Sequence, residues 1–173
     1  MITQVTASRL IDAPVRRVYD QWTQFEEFPR FMSAVKSIYQ IDDTHTRWDV
    51  EIGGAERTFD AVITQQVPDQ KISWASVEEP AHTGEVQFEP EEGGTRVTLL
   101  MSWAPEGIVE KAGAVLNLDE MAAERDLDRF ADFIAERGAA TGAWRGEVAD
   151  GESGADAGVR PDTTEGVDPD IRL

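Results

Sequence analysis

The stretch TRWDVEIGGAERTFDAVI, residues 46–63, carries the pattern that decides the fold. On both sides of Gly53 and Gly54, apolar residues alternate with polar ones, and this period of two indicates strands with one buried face. Two such strands joined by a glycine pair predict an antiparallel hairpin. The apolar face of this hairpin consists of Trp48, Val50, Ile52, Phe59, Ala61 and Ile63.

The same alternation continues on both sides of this hairpin. The segments that interrupt it, DDTH, PDQK, EEPA and EEGG, are rich in residues that favour turns. Short turns between successive strands join them as antiparallel neighbours. We therefore predict a meander of six strands at residues 35–41, 46–52, 56–67, 71–77, 83–89 and 95–103, and a seventh strand at residues 3–12.

Two helical regions flank the meander. Pro14 is suited to the first turn of a helix at residues 14–23, and a longer helix is predicted from Asp119 to Arg137, ending at Gly138. The long helix has an apolar stripe, and Asp126 is expected on its outer side. The stripe begins with Leu116 or Met121 and continues with Ala123, Leu127, Phe130, Ala131 and Ile134.

Between the early helix and the meander lies WTQFEEFPRFM, residues 22–32, with an aromatic residue at every third position. A spacing of three fits tight 3₁₀ turns, and Pro29 predicts a break before a second short turn. Acidic residues between the aromatics argue against insertion into a membrane. We expect Trp22, Phe25 and Phe28 to plug one end of the sheet, while Phe31 and Met32 line the entrance to its interior.

The composition narrows the classes of function. Sixteen basic residues against thirty-four acidic residues give a formal net charge of −18, which opposes binding to nucleic acid and to anionic membranes. The absence of cysteine excludes disulfides and thiolate metal ligands. With no stretch of about 20 apolar residues and no signal-peptide pattern at the N-terminus, a cytoplasmic protein without stable membrane insertion is expected.

The composition changes after residue 138. Residues 139–173 are acidic and rich in glycine, and this tail has few large apolar side chains. Such a segment buries too little apolar surface to offset its chain entropy, so residues 147–173 are predicted to be disordered. Trp144 is the exception, because it could dock onto the domain at residues 1–138.

A mismatch of widths suggests a cavity. A seven-stranded antiparallel sheet curls around its buried face, and a single helix about 10 Å across is too narrow to fill the concave side. Arg9 shares a face with Val5 and Ala7, so it either reaches this cavity or contradicts the assignment of that face. The residues expected to line the cavity are Phe31, Met32, Trp48, Phe59, Trp74, Ser76, Phe88, Met101, Trp103 and Asn117.

The sequence contains none of the common motifs for nucleotide, dinucleotide or metal-dependent chemistry. Two residues are candidates for proton transfer. Glu120 falls within the apolar stripe, where its pKa would be raised, but it also suits the first turn of the helix near solvent. His82 shares the parity of the buried face, and either points into the cavity or lies exposed near a turn. No metal or cofactor is implied.

The order of these pieces resembles the SRPBCC superfamily, whose START-like helix-grip fold wraps a curved sheet around a C-terminal helix. The similar segments are I-x-A-P at 11–14, W-x-x-F-x-x-F-P-x-F-M at 22–32, I-x-W-x-S at 72–76, G-x-V-x-F-x-P at 84–90 and G-T-x-V-T-L at 94–99. The branch most similar to this chain is that of the polyketide cyclase/dehydrase proteins, which includes coenzyme-Q-binding members. The resemblance implies an α+β fold with a hydrophobic cavity between sheet and helix, and two short helices after the first strand.

Two functions follow from these expectations. The first is binding of a hydrophobic small molecule, such as a lipid, a quinone or an aromatic polyketide-like compound, by a monomer or homodimer. The alternative, which the resemblance implies, is a polyketide cyclase/aromatase or dehydrase acting on a poly-β-keto intermediate. Shape, positioning and one proton-transfer group would suffice for such catalysis. No set of residues matches a catalytic motif of that family.

Overall fold

The computed structural model describes residues 3–52, 55–78, 82–103 and 120–153. Within these ranges a long antiparallel sheet carries one long helix on its inner face. The elements are β1 (Thr3–Ile11), α1 (Val15–Trp22), a 3₁₀ helix (Phe25–Arg30), β2 (Val35–Gln40), β3 (His45–Ile52), β4 (Ala55–Val67), β5 (Lys71–Ser76), β6 (His82–Glu91), β7 (Gly94–Trp103), α2 (Glu120–Arg137), β8 (Val148–Ala149) and β9 (Glu152–Ser153).

The main sheet has the order β1-β7-β6-β5-β4-β3-β2, in which every neighbouring pair is antiparallel. Six of its strands form the predicted meander. The first strand joins at the edge beside β7, and the pairing runs from Thr3 opposite Trp103 to Ile11 opposite Thr95. The prediction of an α+β fold with a large curved antiparallel sheet and a C-terminal helix is therefore confirmed.

Helix α2 buries Leu127, Phe130 and Ile134 and ends at Arg137; the next residue, Gly138, has a φ of +70°, which glycine readily adopts. Of the two residues predicted to begin the stripe, Met121 is 62% exposed and Leu116 lies outside the described residues. The prediction for Asp126 is wrong, because this residue, expected on the outer side, is only 9% exposed.

The ion pairs of Arg9 explain why this cation lies on the inner face of β1. Val5 and Ala7 are buried, so the face was assigned correctly. The guanidinium does not enter a cavity, because its Nη2 and Nε atoms lie 3.2 Å and 3.0 Å from the carboxylates of Glu124 and Asp128. These two ion pairs join the edge strand to helix α2.

The segment WTQFEEFPRFM folds as the end of α1 followed by one 3₁₀ helix, with Pro29 inside that helix. The predicted break before Pro29 is wrong. The spacing of three between the aromatic residues of this segment nevertheless brings their rings together. The ring centroid of Trp22 lies 5.1 Å from that of Phe28 and 5.3 Å from that of Phe31. Phe130 of α2 completes this aromatic cluster at 4.9 Å from Trp22.

The chain after α2 returns across α1. Gln21 and Thr141 exchange two hydrogen bonds of 3.0 Å, and Val148 of β8 pairs with Gln66 near the end of β4. Arg145 forms ion pairs with Asp20 and with Asp69. The prediction of disorder from residue 147 is therefore wrong for Val148–Ser153, while residues 154–173 lie outside the described part of the chain.

The contacts of Arg145 contribute to this outcome beside the burial of Val148, which is 2% exposed. The Arg145 side chain is 26% exposed and also lies over the ring of Tyr19, with 5.4 Å between its Cζ and the ring centroid. Partly buried ion pairs to two carboxylates and a cation–π contact hold a segment that composition alone would leave free. Trp144 is partly buried against the core, in agreement with the exception made for it.

Candidate functional site

A cavity lies between the sheet and the first turns of α2. The part lined by described residues has a volume of about 50 Å³. Its walls come from the loop after the 3₁₀ helix, from the six strands β2 to β7 and from α2. The lining consists of Met32, Ala34, Val35, Trp48, Val50, Phe59, Trp74, His82, Met101 and Asp126.

Three aromatic rings form one wall of the cavity. Trp48 lies between Phe59 and Trp74, with centroid distances of 5.8 Å and 5.7 Å and interplanar angles of 14° and 23°. The three rings come from three neighbouring strands of the sheet, β3, β4 and β5, and Trp48 stacks on both of the others. The indole of Trp48 is fixed by a 2.8 Å hydrogen bond from Nε1 to the hydroxyl of Thr46. The result is a broad apolar surface with little freedom to rotate.

Gly84 makes room for the third ring. It lies opposite Trp74 in the β5–β6 pair, and a Cβ atom at this position would stand 2.1 Å from a ring carbon of that tryptophan. Any larger residue would force the Trp74 indole out of this position. The glycine is therefore needed for close packing, and it sets the position of the Trp74 ring.

His82 is the polar group beneath this wall. Trp74 donates from Nε1 to His82 Nε2 over 3.2 Å, and His82 Nδ1 lies 3.3 Å from the carbonyl oxygen of Ser102. This arrangement fits a neutral imidazole with its proton on Nδ1. Burial lowers the pKa of His82 to about 4, while the hydrogen bond to Ser102 acts weakly in the other direction. His82 is therefore neutral at physiological pH.

Asp126 is the acidic group of the cavity lining. Its Oδ1 accepts hydrogen bonds from the backbone N–H of Ser33 at 3.2 Å, from the Ser33 hydroxyl at 3.0 Å and from Arg129 at 3.2 Å. Burial raises the pKa of Asp126 above its usual value, and the hydrogen bonds from Ser33 offset part of this increase. A carboxylate in such surroundings can accept a hydrogen bond or transfer a proton.

The structure brings together six of the predicted site residues, Met32, Trp48, Phe59, Trp74, His82 and Met101. Three others do not line this cavity. Phe31 packs in the aromatic cluster, Phe88 contacts the ring of Tyr19 at 5.4 Å, and Ser76 accepts a hydrogen bond from the backbone of His82. The side chains of Trp103 and Glu120, and the whole of Asn117, lie outside the described residues.

The carboxylate that lines the cavity in the described part of the chain is thus Asp126, which the sequence analysis placed on the outer side of the helix. The spacing of residues in the sequence does indicate the inner side for Asp126. Asp126 lies three residues after Ala123 and four before Phe130, and both of these belong to the apolar stripe. The sequence analysis instead groups it with the other charged residues of the helix, on the outer side.

Two kinds of feature are absent from the described ranges. No group of three or more histidine, aspartate or glutamate side chains is placed there to hold a metal ion. No described helix is long and apolar enough to cross a membrane.

Comparison with known proteins agrees with this architecture. Residues 11–135 match the sequence model of the family described as polyketide cyclase / dehydrase and lipid transport. A Streptomyces lincolnensis protein described as an uncharacterized 17.2 kDa protein in the melC2-rnhH intergenic region is 42% identical over 149 residues. The alignment covers 85% of this chain and 99% of that protein.

Solved structures with the same fold include a Deinococcus radiodurans protein, DR_A0006, at 25% identity and a TM-score of 0.63, covering 79% of this chain and 98% of the other. The Zhui aromatase/cyclase from a Streptomyces species has 15% identity and a TM-score of 0.63, with coverage of 83% and 99%. A START superfamily protein from Mycobacterium smegmatis has 14% identity and a TM-score of 0.57, with coverage of 78% and 95%. The family match extends over well more than half of the chain, and this chain therefore belongs to the polyketide cyclase/dehydrase and lipid transport family, in the SRPBCC superfamily.

Proposed function

We propose that this protein binds a hydrophobic small molecule, such as a lipid, a quinone or an aromatic polyketide-like compound, in the cavity between the sheet and α2. The observation that carries this proposal is the wall of three nearly parallel rings, Phe59, Trp48 and Trp74, facing an interior space. Ligand sites are typically apolar clefts with a few polar groups that fix orientation. His82 and Asp126 are such groups here.

The size of the cavity adds a requirement. Small-molecule sites usually enclose about 300–1,000 Å³, and the cavity described here is about 50 Å³. A ligand of ordinary size therefore needs more space than this described part of the cavity offers. Met32 and Met101 lie in the lining, and the unbranched methionine side chain changes rotamer more readily than the fixed indoles do. We propose that these two residues make room for the ligand.

A substitution that fills the cavity tests this function. Ala34 is a small, partly buried lining residue, so Ala34→Phe should place a ring in the space that the ligand needs. We expect the affinity for the neutral fluorescent probe N-phenyl-1-naphthylamine to fall at least about tenfold, a loss of roughly 1.4 kcal/mol. Titration of the probe, with its fluorescence as the signal, measures the change.

Ala75→Phe is the matched control, because Ala75 lies on the opposite face of the sheet, in the groove lined by Thr83 and Ser102. It should bind the probe like the wild type. Equal binding by Ala34→Phe would show that the probe occupies another place. Failure of the wild type to bind any member of a panel of lipids, quinones and aromatic compounds would overturn the proposal itself.

The second candidate is a cyclase or dehydrase that acts on a poly-β-keto intermediate. It is favoured by one observation, the carboxyl group of Asp126, whose pKa is raised by burial within an aromatic cavity. Such a group can exchange a proton with a bound β-keto substrate. His82 is less suited to act as the base, because a pKa of about 4 makes its imidazole a weak proton acceptor and Trp74 already donates to Nε2.

If the protein is such an enzyme, Asp126→Asn should lower the rate of turnover of a poly-β-keto thioester by about 10²- to 10⁴-fold, the usual contribution of a general acid or base. Product formation followed by liquid chromatography measures this rate. Asp132→Asn, which changes an exposed carboxylate on the same helix, should leave the rate unchanged. No product with the wild-type protein, alongside normal ligand binding, would leave binding as the function.

A further inference from the structure

The charged side chains in the described lining of the cavity are of one sign only. Among its described lining residues there is one carboxylate, that of Asp126, and no lysine or arginine. His82 cannot supply a positive charge near neutral pH, because burial keeps its pKa at about 4. A negatively charged ligand therefore finds no cation within the described lining.

Of the two carboxylate oxygens of Asp126, only Oδ1 accepts hydrogen bonds from described residues. Its three hydrogen bonds, two from Ser33 and one from Arg129, all end on Oδ1. Within the described part of the chain Oδ2 accepts no hydrogen bond, and it is not among the buried atoms that lack a partner. Oδ2 is therefore an accessible acceptor on a residue that lines the cavity.

The orientation of this group is fixed from outside the cavity. Ser33 holds Oδ1 from the loop before β2, and Arg129 approaches it from one turn further along α2. In addition, Arg9 ties α2 to β1 through Glu124 and Asp128, which lie on either side of Asp126 in sequence. The Asp126 carboxylate is thus held in place without using the oxygen that a ligand would contact.

We propose, on the basis of the function proposed above, that Asp126 makes the cavity selective for neutral ligands that carry a hydrogen-bond donor, such as an alcohol or a phenol, and excludes carboxylate ligands such as fatty acids. A hydroxyl group can donate to Oδ2, and hydrogen bonds to a charged acceptor are stronger than those between neutral groups. A ligand carboxylate would meet a like charge in surroundings of low dielectric, where repulsion is weakly screened. The formal charge of −18 on the whole chain acts in the same direction.

Three ligands that share one ring system test this selectivity: 2-naphthol, 2-methoxynaphthalene and 2-naphthoate. Their affinities are measured at pH 7.5 by displacement of N-phenyl-1-naphthylamine. The wild type should bind naphthol at least about tenfold more tightly than either of the others. Burial of any carboxylate in an apolar cavity is unfavourable in itself, so the deciding quantity is the naphthol-to-naphthoate affinity ratio in a variant.

Asp126→Asn keeps an oxygen that can accept from Ser33 and Arg129 but removes the charge. In this variant the affinity ratio should fall at least about tenfold. Asp132→Asn is the matched control, since it removes the same charge from an exposed position of α2, and it should keep the wild-type ratio. Circular dichroism and urea unfolding of both variants verify that each one is folded.

The outcomes separate the two proposals. If the wild type binds neither the probe, nor any of the three ligands, nor any member of the panel of lipids, quinones and aromatic compounds, the proposed function fails, and the selectivity fails with it. If the ligands bind but Asp126→Asn leaves the ratio unchanged, the cavity is a binding site and the role of Asp126 is overturned. A similar shift in Asp126→Asn and Asp132→Asn would also overturn it, because the cause would then be the total charge rather than contact with Oδ2.

Discussion

Replacing Trp22 with alanine should lower the free energy of unfolding by about 3–5 kcal/mol, the usual range for deletion of a large buried aromatic side chain. Trp22 is 1% exposed and contacts Phe28, Phe31 and Phe130, so one substitution removes a ring that joins α1, the 3₁₀ helix and α2. The surrounding rings are themselves held by other contacts and cannot collapse fully into the gap. Urea unfolding followed by circular dichroism measures the change.

A conservative variant and an exposed control are needed to interpret the result for Trp22→Ala. Trp22→Phe keeps most of the ring and removes an indole N–H that has no hydrogen-bond partner in the described structure, so we expect it to cost less than about 1.5 kcal/mol. Tyr39→Ala, at a position that is 66% exposed, should change stability by less than about 0.5 kcal/mol. A loss below about 1 kcal/mol for Trp22→Ala would mean that the aromatic cluster does not hold the three helices together.

His82 should make the protein less stable as the pH falls from 7.5 to 5.0, by about 2 kcal/mol from this residue alone. The pKa of His82 is about 4 in the folded state, compared with an ordinary value of 6.5. Below pH 6.5 the imidazole of the unfolded chain takes up a proton that the folded chain excludes. Protonation therefore favours the unfolded state, and the effect grows until the pH approaches 4.

The measurement compares the free energy of urea unfolding at pH 7.5 and at pH 5.0. His82→Gln removes the titrating group and keeps an amide that can accept from Trp74 and donate to Ser102, so it should lose about 2 kcal/mol less than the wild type over this interval. Equal pH dependence in the two proteins would show that the pKa of His82 is not lowered by folding.

Much of the fold could be predicted because its signals are local. Alternation with a period of two around the glycine pair at residues 53 and 54 identifies strands, and the turn sequences mark where each one ends. The strand boundaries agree with the structure to within about two residues. The position of Gly138 likewise predicts the end of α2, because glycine adopts the positive φ found there at low energetic cost.

The candidate site was harder to predict, since a side chain on the inner face can either complete the core or line a space. Phe31 and Phe88 have the same apolar character as Trp48 and Phe59, yet the first two pack against other rings and the latter two face the cavity. Which of these occurs depends on the distance between elements, and that distance is set by packing across the whole domain.

The sequence by itself determined the order of the strands and helices, the face that each strand buries, and the family, because these depend on residue type and spacing along the chain. Tertiary structure alone decided that Asp126 lines the cavity, that His82 is buried against Trp74, and that Arg145 holds the chain after α2. The physical reason is the same in each case. A polar residue is buried when partners distant in sequence, here Ser33, Ser102 and the Asp20–Asp69 pair, replace the water it loses.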